Sequence, residues 1–430
     1  MQYHPVVEQY GIYPPLDPAW LLVFTACFVV VALMTMRRAA LGVATLAFIV
    51  PFAFYHKIGV TTITFPKVAL LAVLVGLLPS WRLALEHLRA ARVLVYAFGA
   101  ILAAIALSAI GAQDRGAVMS EFFKWVEYAL FFCVTYAGFS LDSQSAWVRR
   151  AFFLSIAIVC LTALVQEFTG APSDITFGPG IAPRIAGVLE GPNQLAGYLE
   201  VALAVVVAWR IRTPSSASTI VSVLVGLTLL LTFSRGGFAG CAIVIAVVAF
   251  VARRDTVRAV APFLYAAVAG AVADAGWIWA ARTLPALRNP SSTFAGAGGV
   301  GQRQELWRAA WFFFVRHPIF GIGASNYENR LSEAGVYGVR THANSWYLQA
   351  LAEGGIVLFA ATIFFISAAL VELRPAITRS AWALAAFAAT LALAVHQVAD
   401  YLVFYPKVAE PWIVLLGIGM AARTSSVSCD

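Results

Sequence analysis

The sequence predicts an all-α, polytopic membrane protein with about 12–13 transmembrane helices. Of its 430 residues, 61% are hydrophobic and 12% are charged, whereas a soluble domain carries about 25% charged residues. Apolar runs of roughly 17–25 residues recur along the chain, and each is long enough to cross a bilayer core of about 30 Å. Because lipid cannot satisfy backbone polar groups, we expect these runs to be helices rather than strands.

We expect a single integral membrane domain over residues 1–430. Its predicted spans, in chain order, are 19–36, 39–55, 66–80, 93–111, 121–140, 151–168, 194–209, 217–233, 236–252, 259–281, 355–371, 381–399 and 408–422. Two connecting segments are longer than the others, a smaller loop at 169–193 and a large loop at 282–345. Loops as long as the second are usually functional or disordered.

Basic residues alternate between the loops. One set of loops contains Arg37 and Arg38; Arg82, Arg89 and Arg92; Arg149 and Arg150; Arg210 and Arg212; Arg253, Arg254 and Arg258; Arg374 and Arg379; and Arg423. The opposite short loops contain fewer basic residues. The positive-inside rule places the arginine-rich set in the cytoplasm and the two longer loops on the other face. Topology thus accounts for much of the net charge of +8, and we expect no nucleic-acid partner.

The large loop contains a glycine- and serine-rich stretch, 289–301, followed by an amphipathic run at 302–317 that predicts an interfacial helix. Residues 296–301 match GxGxxG, but the preceding strand of a dinucleotide-binding unit is missing, so we interpret them as a loop. The sequence contains no DxD, no CxxC and no Cys/His cluster. We therefore expect neither a metal site nor a cofactor.

Three arginines lie against the positive-inside trend, in segments assigned to the non-cytoplasmic face: Arg184, Arg235 and Arg303. A charge near the membrane is costly and tends to be retained for a partner or a ligand. The guanidinium group grips phosphate oxygens in a bidentate fork. Each arginine alone could instead reach lipid headgroups or pair with an acid, but three on one face favour an anionic ligand.

His342 lies just before a predicted helix start, with Asn344 or Ser345 as the N-cap. Apolar residues from Trp346 to Glu353 have helical spacing, and Gly354-Gly355 interrupts the helix before the next span. The positive end of the helix dipole favours a neutral imidazole, which can accept a proton. The alternative is a loop histidine that hydrogen-bonds only to the backbone. His317 and His396 are interpreted as structural.

Five segments together resemble the O-antigen ligase and polymerase superfamily, over roughly residues 180–370. They are Arg184…Gly187…Pro192-Asn193; Ser234-Arg235-Gly236; Gly301-Gln-Arg303…Trp307; His317-Pro-Ile-Phe-Gly-Ile-Gly-Ala-Ser-Asn-Tyr327; and His342…Leu348-Gln-Ala-Leu-Ala-Glu353-Gly-Gly. Each motif alone is weak, but their order and spacing together are fairly specific. The resemblance implies a C-type membrane glycosyltransferase with a polyprenyl-diphosphate-linked glycan donor and no metal, in the bacterial inner membrane with its active site facing the periplasm.

For an O-antigen ligase, the resemblance implies transfer from undecaprenyl-diphosphate-linked O-antigen to a sugar hydroxyl of the lipid A-core oligosaccharide, with inversion. His342 would be the general base. Arg184, Arg235 and Arg303 would hold the diphosphate, and the supporting residues in or near the motifs would be Asn193, Tyr327, Arg340 and Asn344.

Three other functions stay open. An O-antigen polymerase differs from a ligase in its acceptor. A protein O-oligosaccharyltransferase commonly carries an extra soluble domain after the last span, whereas we expect only a short tail after Ala422. A membrane transporter would show inverted repeats and broken helices at the midplane, and the sequence shows no repeat that supports one.

Overall fold

The computed structural model describes residues 18–58, 61–169, 176–177, 182–283 and 300–424. This part of the chain folds into sixteen α-helices and two short antiparallel hairpins. The helices are α1 Pro18–Arg37, α2 Ala39–Ile49, α3 Phe65–Gly76, α4 Trp81–Ala90, α5 Arg92–Ser108, α6 Arg115–Leu141, α7 Ser145–Thr169, α8 Pro192–Arg212, α9 Ser216–Leu231, α10 Arg235–Ala252, α11 Thr256–Thr283, α12 Val300–Arg316, α13 Tyr327–Arg330, α14 Trp346–Leu373, α15 Ala381–His396 and α16 Pro406–Thr424.

The prediction of an all-α polytopic membrane protein is confirmed. Within the described residues, six helices are long and apolar enough to cross a membrane, and four further apolar helices are shorter. A bent pair, Phe65–Gly76 with Leu78–Ala90, would add a seventh span. The total of about 12–13 spans stays a prediction.

Several helix boundaries differ from the predicted spans for local reasons. The span predicted at 39–55 is helical only to Ile49, since Pro51 cannot donate a backbone hydrogen bond. The hairpin of β1 His56–Ile58 and β2 Thr61–Ile63 follows it. The helix predicted from residue 121 begins at Arg115, because Asp114 Oδ1 accepts hydrogen bonds from the first-turn amides of Gly116 and Ala117.

The predicted interruption near Gly354-Gly355 is confirmed. Helical structure begins at Trp346, with Ser345 as the N-cap, and Gly355 has non-helical angles, φ 61° and ψ −157°. A side chain here would overlap the carbonyl of Ile319 from the large loop. Glycine is therefore required both for the backbone angle and for the close approach of the loop.

The core lies among α8, α15 and α16, which pack against one another, and α6 packs against α16. Of the most apolar 18-residue stretch of α8, 89% is buried, against 22% of that of α1 at the periphery. The arginines assigned to the cytoplasm meet at one end of this bundle. There Arg212 donates to the Thr378 carbonyl, and Arg423 donates to Ala90 O and pairs with Glu372. We call the opposite end, where residues 182–191, 317–345 and 397–405 lie, the loop end.

Candidate active site

His342 is buried at the loop end, with 5% of its surface exposed. Its Nε2 lies 3.1 Å from the Tyr405 hydroxyl oxygen, and the Asn344 backbone N–H donates to its Nδ1 over 3.1 Å. Tyr401 and Phe404 pack on the ring, with centroids 5.6 and 5.7 Å away. The segment that follows α15 thus encloses the histidine in aromatic side chains.

These two hydrogen bonds determine which tautomer is present. A backbone N–H can only donate, so Nδ1 of His342 must accept and the proton of the neutral ring resides on Nε2. The Nε2–H then donates to Tyr405. In this arrangement the one lone pair of the neutral imidazole is occupied by Asn344, whose φ of 49° is in the left-handed region. To accept a proton, Nδ1 must first separate from that amide.

The pKa of His342 is lowered to about 4, chiefly by burial. The negative charge of Asp400 opposes this shift, and the positive charges of Arg303 and Lys124 contribute to it. The ring is therefore neutral at physiological pH, as the sequence analysis expects. The main physical cause is desolvation rather than the helix dipole, because a charged imidazole loses its hydration in this aromatic enclosure.

Asp400 is the centre of the charge cluster beside His342, and it is only 2% exposed. Its Oδ2 accepts a hydrogen bond from Asn193 Nδ2 over 2.9 Å and lies 3.7 Å from Arg303 Nη2. Its Oδ1 accepts from the Tyr401 amide over 2.8 Å. A buried carboxylate with these donors is held in one orientation.

Arg184 joins the same cluster through Asn193. Its Nη2 donates to Asn193 Oδ1 over 2.8 Å, and its Nε donates to the Thr232 carbonyl over 2.6 Å. Burial and the positive charge of Arg303 lower the pKa of Arg184 to about 10, with Asp400 opposing them. A continuous polar chain thus runs from Arg184 through Asn193 and Asp400 to Arg303.

Arg235 lies beside this cluster but outside it. It is the first residue of α10, whose N-cap Ser234 accepts from the Gly237 amide over 3.2 Å. The adjoining Thr232 carbonyl is the one that holds Arg184. The Arg235 side chain is exposed and forms no hydrogen bond or ion pair with the described residues.

Two of the residues expected to give support lie apart from the cluster. Tyr327 is fully buried, donates its hydroxyl proton to the Leu306 carbonyl over 2.6 Å and packs on Phe313. Arg340 is exposed, and its charge opposes the burial that raises the pKa of Glu328. Asn344 contributes its backbone amide to His342.

Sequence reasoning missed three neighbours of His342: Asp400, Tyr405 and Lys124. Lys124 extends from α6, with its Nζ 2.7 Å from Glu121 Oε2 and 4.8 Å from the centre of the Phe404 ring. Asp400 and Tyr405 lie in the short connection between two predicted spans. A carboxylate in a connection between two spans is the sequence feature that could have indicated Asp400. Because Asp400 is far from His342 along the chain, no sequence pattern indicates that the two residues are neighbours.

A small cavity near the start of α14 is lined by apolar side chains together with Glu121, Glu353 and Tyr401. The space open to the centre of a water-sized sphere is about 10 Å³, which is about the room that one water molecule needs. Within the described ranges, no group of three or more His, Cys, Asp or Glu side chains is arranged to hold a metal ion.

The fold and the cluster define a multi-pass α-helical membrane protein with a buried arginine, carboxylate and histidine site at one end of its bundle. Residues 220–363, about a third of the chain, match the protein-family model described as O-antigen ligase. The matched region contains Arg235, Arg303 and His342 but neither Arg184 nor Asp400. No curated protein matches the chain.

Proposed function

We propose that this protein is an O-antigen ligase of the bacterial inner membrane, which transfers a glycan from undecaprenyl-diphosphate to a sugar hydroxyl of lipid A-core at the periplasmic face. The observation that carries the proposal is the polar chain from Arg184 through Asn193 and Asp400 to Arg303, with the buried His342 beside it. Residues 220–363 also match the O-antigen ligase family model. Both substrates are lipids, and a membrane-embedded site gives access to both.

In the proposed reaction, an acceptor hydroxyl oxygen attacks the anomeric carbon of the donor. The bond from that carbon to the diphosphate oxygen breaks, and the lipid diphosphate leaves with the bonding electrons. Arg184, Arg235 and Arg303 offset the negative charge that grows on the leaving group, which is often the largest catalytic contribution. A single displacement inverts the configuration at the anomeric carbon, and the arginines supply the positive charge without a metal.

His342 accepts the proton of the acceptor hydroxyl in this scheme. Because Tyr405 is bound at Nε2, the proton enters at Nδ1, after substrate has displaced the Asn344 amide. The low pKa of His342 in the free protein ensures that the ring is neutral when substrate arrives. The positive charge that develops on the ring would be stabilised by Asp400, whose charge favours the protonated form.

The decisive experiment is transfer with purified full-length protein, lipid-linked glycan and lipid A-core. A ligase joins the glycan to lipid A-core and frees the lipid diphosphate. A polymerase instead lengthens the glycan on its lipid carrier when only donor is supplied. Donor lengthening without transfer to lipid A-core would contradict the ligase proposal.

The orientation has its own test. Single cysteines replacing Ser173 or Ser292, both outside the described residues, are expected to react with a membrane-impermeant thiol reagent in cells with a permeabilised outer membrane. A cysteine replacing Ser216 is expected to stay unlabelled, since its loop is on the arginine-rich side. Labelling at 216 alone would reverse the topology and place the site on the cytoplasmic face.

A further inference from the structure

Glu200 and His396 form a buried pair behind the candidate active site. Glu200 is on α8 and His396 is the last residue of α15, and their side chains are 0% and 3% exposed. Glu200 Oε1 lies 2.5 Å from His396 Nδ1. Ionisable side chains at membrane depth are costly and tend to be functional, yet neither residue is part of the polar chain from Arg184 to Arg303.

The start of α10 lies directly against this pair. A Cβ on Gly236 would overlap His396 Nε2, and a Cβ on Gly240 would overlap the Glu200 carboxylate. These two glycines are one helical turn apart and so face the pair together. The His396 ring and the Glu200 carboxylate therefore form the surface against which the first turns of α10 pack.

The first turn of α10 carries Arg235, immediately before Gly236. The backbone here is constrained from one side by the Ser234 cap and from the other by the His396 ring. We propose that Glu200 and His396 are positioning residues, which together fix the direction of Arg235 at the loop end. This inference rests on the proposed function, in which Arg235 binds the donor diphosphate.

His396 and Glu200 have different roles in positioning Arg235. His396 supplies the flat surface under Gly236, and Glu200 holds the ring in one orientation by accepting the Nδ1 proton, as carboxylates do for histidines that bind metals. A displacement of about 1 Å in a group that positions a substrate can reduce the rate by about 10²-fold. Loss of either side chain would let the turn shift by such an amount.

The test is a kinetic comparison of full-length variants in the glycan transfer assay. Glu200→Ala and His396→Ala are expected to raise the donor KM more than they lower kcat, with kcat/KM falling about 10- to 100-fold. Glu200→Gln retains an acceptor oxygen for the Nδ1 proton and is expected to recover much of the loss. Gly236→Ala pushes the turn off the ring and is expected to resemble His396→Ala.

A double-mutant cycle with Arg235→Ala separates positioning from general destabilisation. If the pair acts through Arg235, the double variant of Arg235→Ala and His396→Ala has the same donor KM as Arg235→Ala alone. Gly226→Ala is the matched control. Its Cβ would meet the Phe263 carbonyl between α9 and α11, so its effects on unfolding and on KM should simply add to those of Arg235→Ala.

The outcomes distinguish the two proposals. Additive effects of His396→Ala and Arg235→Ala on the donor KM would overturn the positioning role. A normal donor KM in both Glu200→Ala and Gly236→Ala, with a raised donor KM in Arg235→Ala, would also overturn it. A normal donor KM in Arg235→Ala would instead remove Arg235 from the proposed diphosphate site. If the alanine variants fail to fold, His396→Gln, which removes the ring under Gly236, provides the same cycle with Arg235→Ala, and thermal unfolding in detergent checks the folded state.

Discussion

Two segments that carry motifs of similar appearance, one within the large loop and one that joins it to α14, have different physical roles. Residues 340–353 bring His342 to the charge cluster, whereas residues 317–327 fasten the loop to the bundle. In the second segment the Gly323 amide donates to the Glu353 carbonyl, the Ala324 amide donates to Ser108 Oγ, and Ser325 Oγ donates to Glu121 Oε2. A segment that resembles a functional motif can therefore act by holding the backbone in place.

The difference is visible in the polar partners. Asn326 is 1% exposed, and its side chain accepts from the Asp114 amide over 2.8 Å and donates to the Asp114 carbonyl over 3.0 Å. The Asn326 side chain thus hydrogen-bonds to groups of the protein itself. Beside the charge cluster, by contrast, the exposed Arg235 side chain forms no hydrogen bond or ion pair with the described residues. Substitutions in the two segments should consequently affect different measured quantities.

The largest effect is expected from His342→Ala. Removal of a general base costs about 10²–10⁴ in turnover, while donor binding should survive because the arginines hold the diphosphate. Turnover and donor Kd in the purified transfer assay measure the two separately. His317→Ala, in the fastening segment, is the matched control and should retain most turnover. A His342→Ala variant that loses donor binding and turnover together would identify the residue as a phosphate ligand instead.

Arg303→Ala should lower transfer by about 10²–10³-fold, the scale for losing one donor to transition-state charge. Arg303→Lys should recover only part, since an ammonium group lacks the planar fork. Arg308→Ala removes an exposed arginine of the same helix α12 and serves as the control. Equal activities of the Arg303→Ala and Arg308→Ala proteins would exclude Arg303 from the site.

Asn326→Ala should change stability rather than chemistry. It removes three buried hydrogen bonds and leaves the Asp114 backbone groups unpaired, which costs about 1–3 kcal/mol in the free energy of unfolding. Turnover of the folded fraction should stay close to that of the wild type. Thermal unfolding in detergent, compared with exposed Asn329→Ala, measures the difference. A large fall in kcat with an unchanged unfolding midpoint would move this segment into the active site.

The smallest expected effect is the pH dependence near neutrality. Since the pKa of His342 is about 4 in the folded protein, its ionisation should leave the transfer rate flat from pH 8 to about 5 and lower it below that. In the unfolded chain the same histidine titrates near 6.5. Between pH 6.5 and 4 the histidine of the unfolded state therefore binds a proton that the folded state does not bind. Its contribution lowers the free energy of unfolding as the pH falls through this range. A pH–rate profile with a midpoint near pH 6.5 that disappears in His342→Ala would contradict this prediction. It would show that His342 has the ordinary pKa of a hydrated imidazole.

Helical architecture and the choice of candidate residues were accessible from local sequence patterns. Hydrophobic run length located most helices, and the Gly354-Gly355 pair marked the break that Gly355 makes in α14. The amphipathic run at 302–317 coincides closely with α12, Val300–Arg316. These features depend on interactions within a few residues, because run length, capping and glycine angles are local properties of the backbone.

Which side chains contact one another depends on long-range packing. Asp400 lies 207 residues from Asn193 in the chain, and the packing of α8 against α15 brings them to 2.9 Å. The Tyr405 hydroxyl, 63 residues away in the chain, is likewise brought to Nε2 of His342 by packing. The burial that lowers the pKa of His342 comes from the same distant segment. Local sequence patterns were enough to predict a helical membrane protein with outlying arginines and a loop histidine. Their arrangement around one carboxylate depends on long-range packing, for which no local pattern carries a signal.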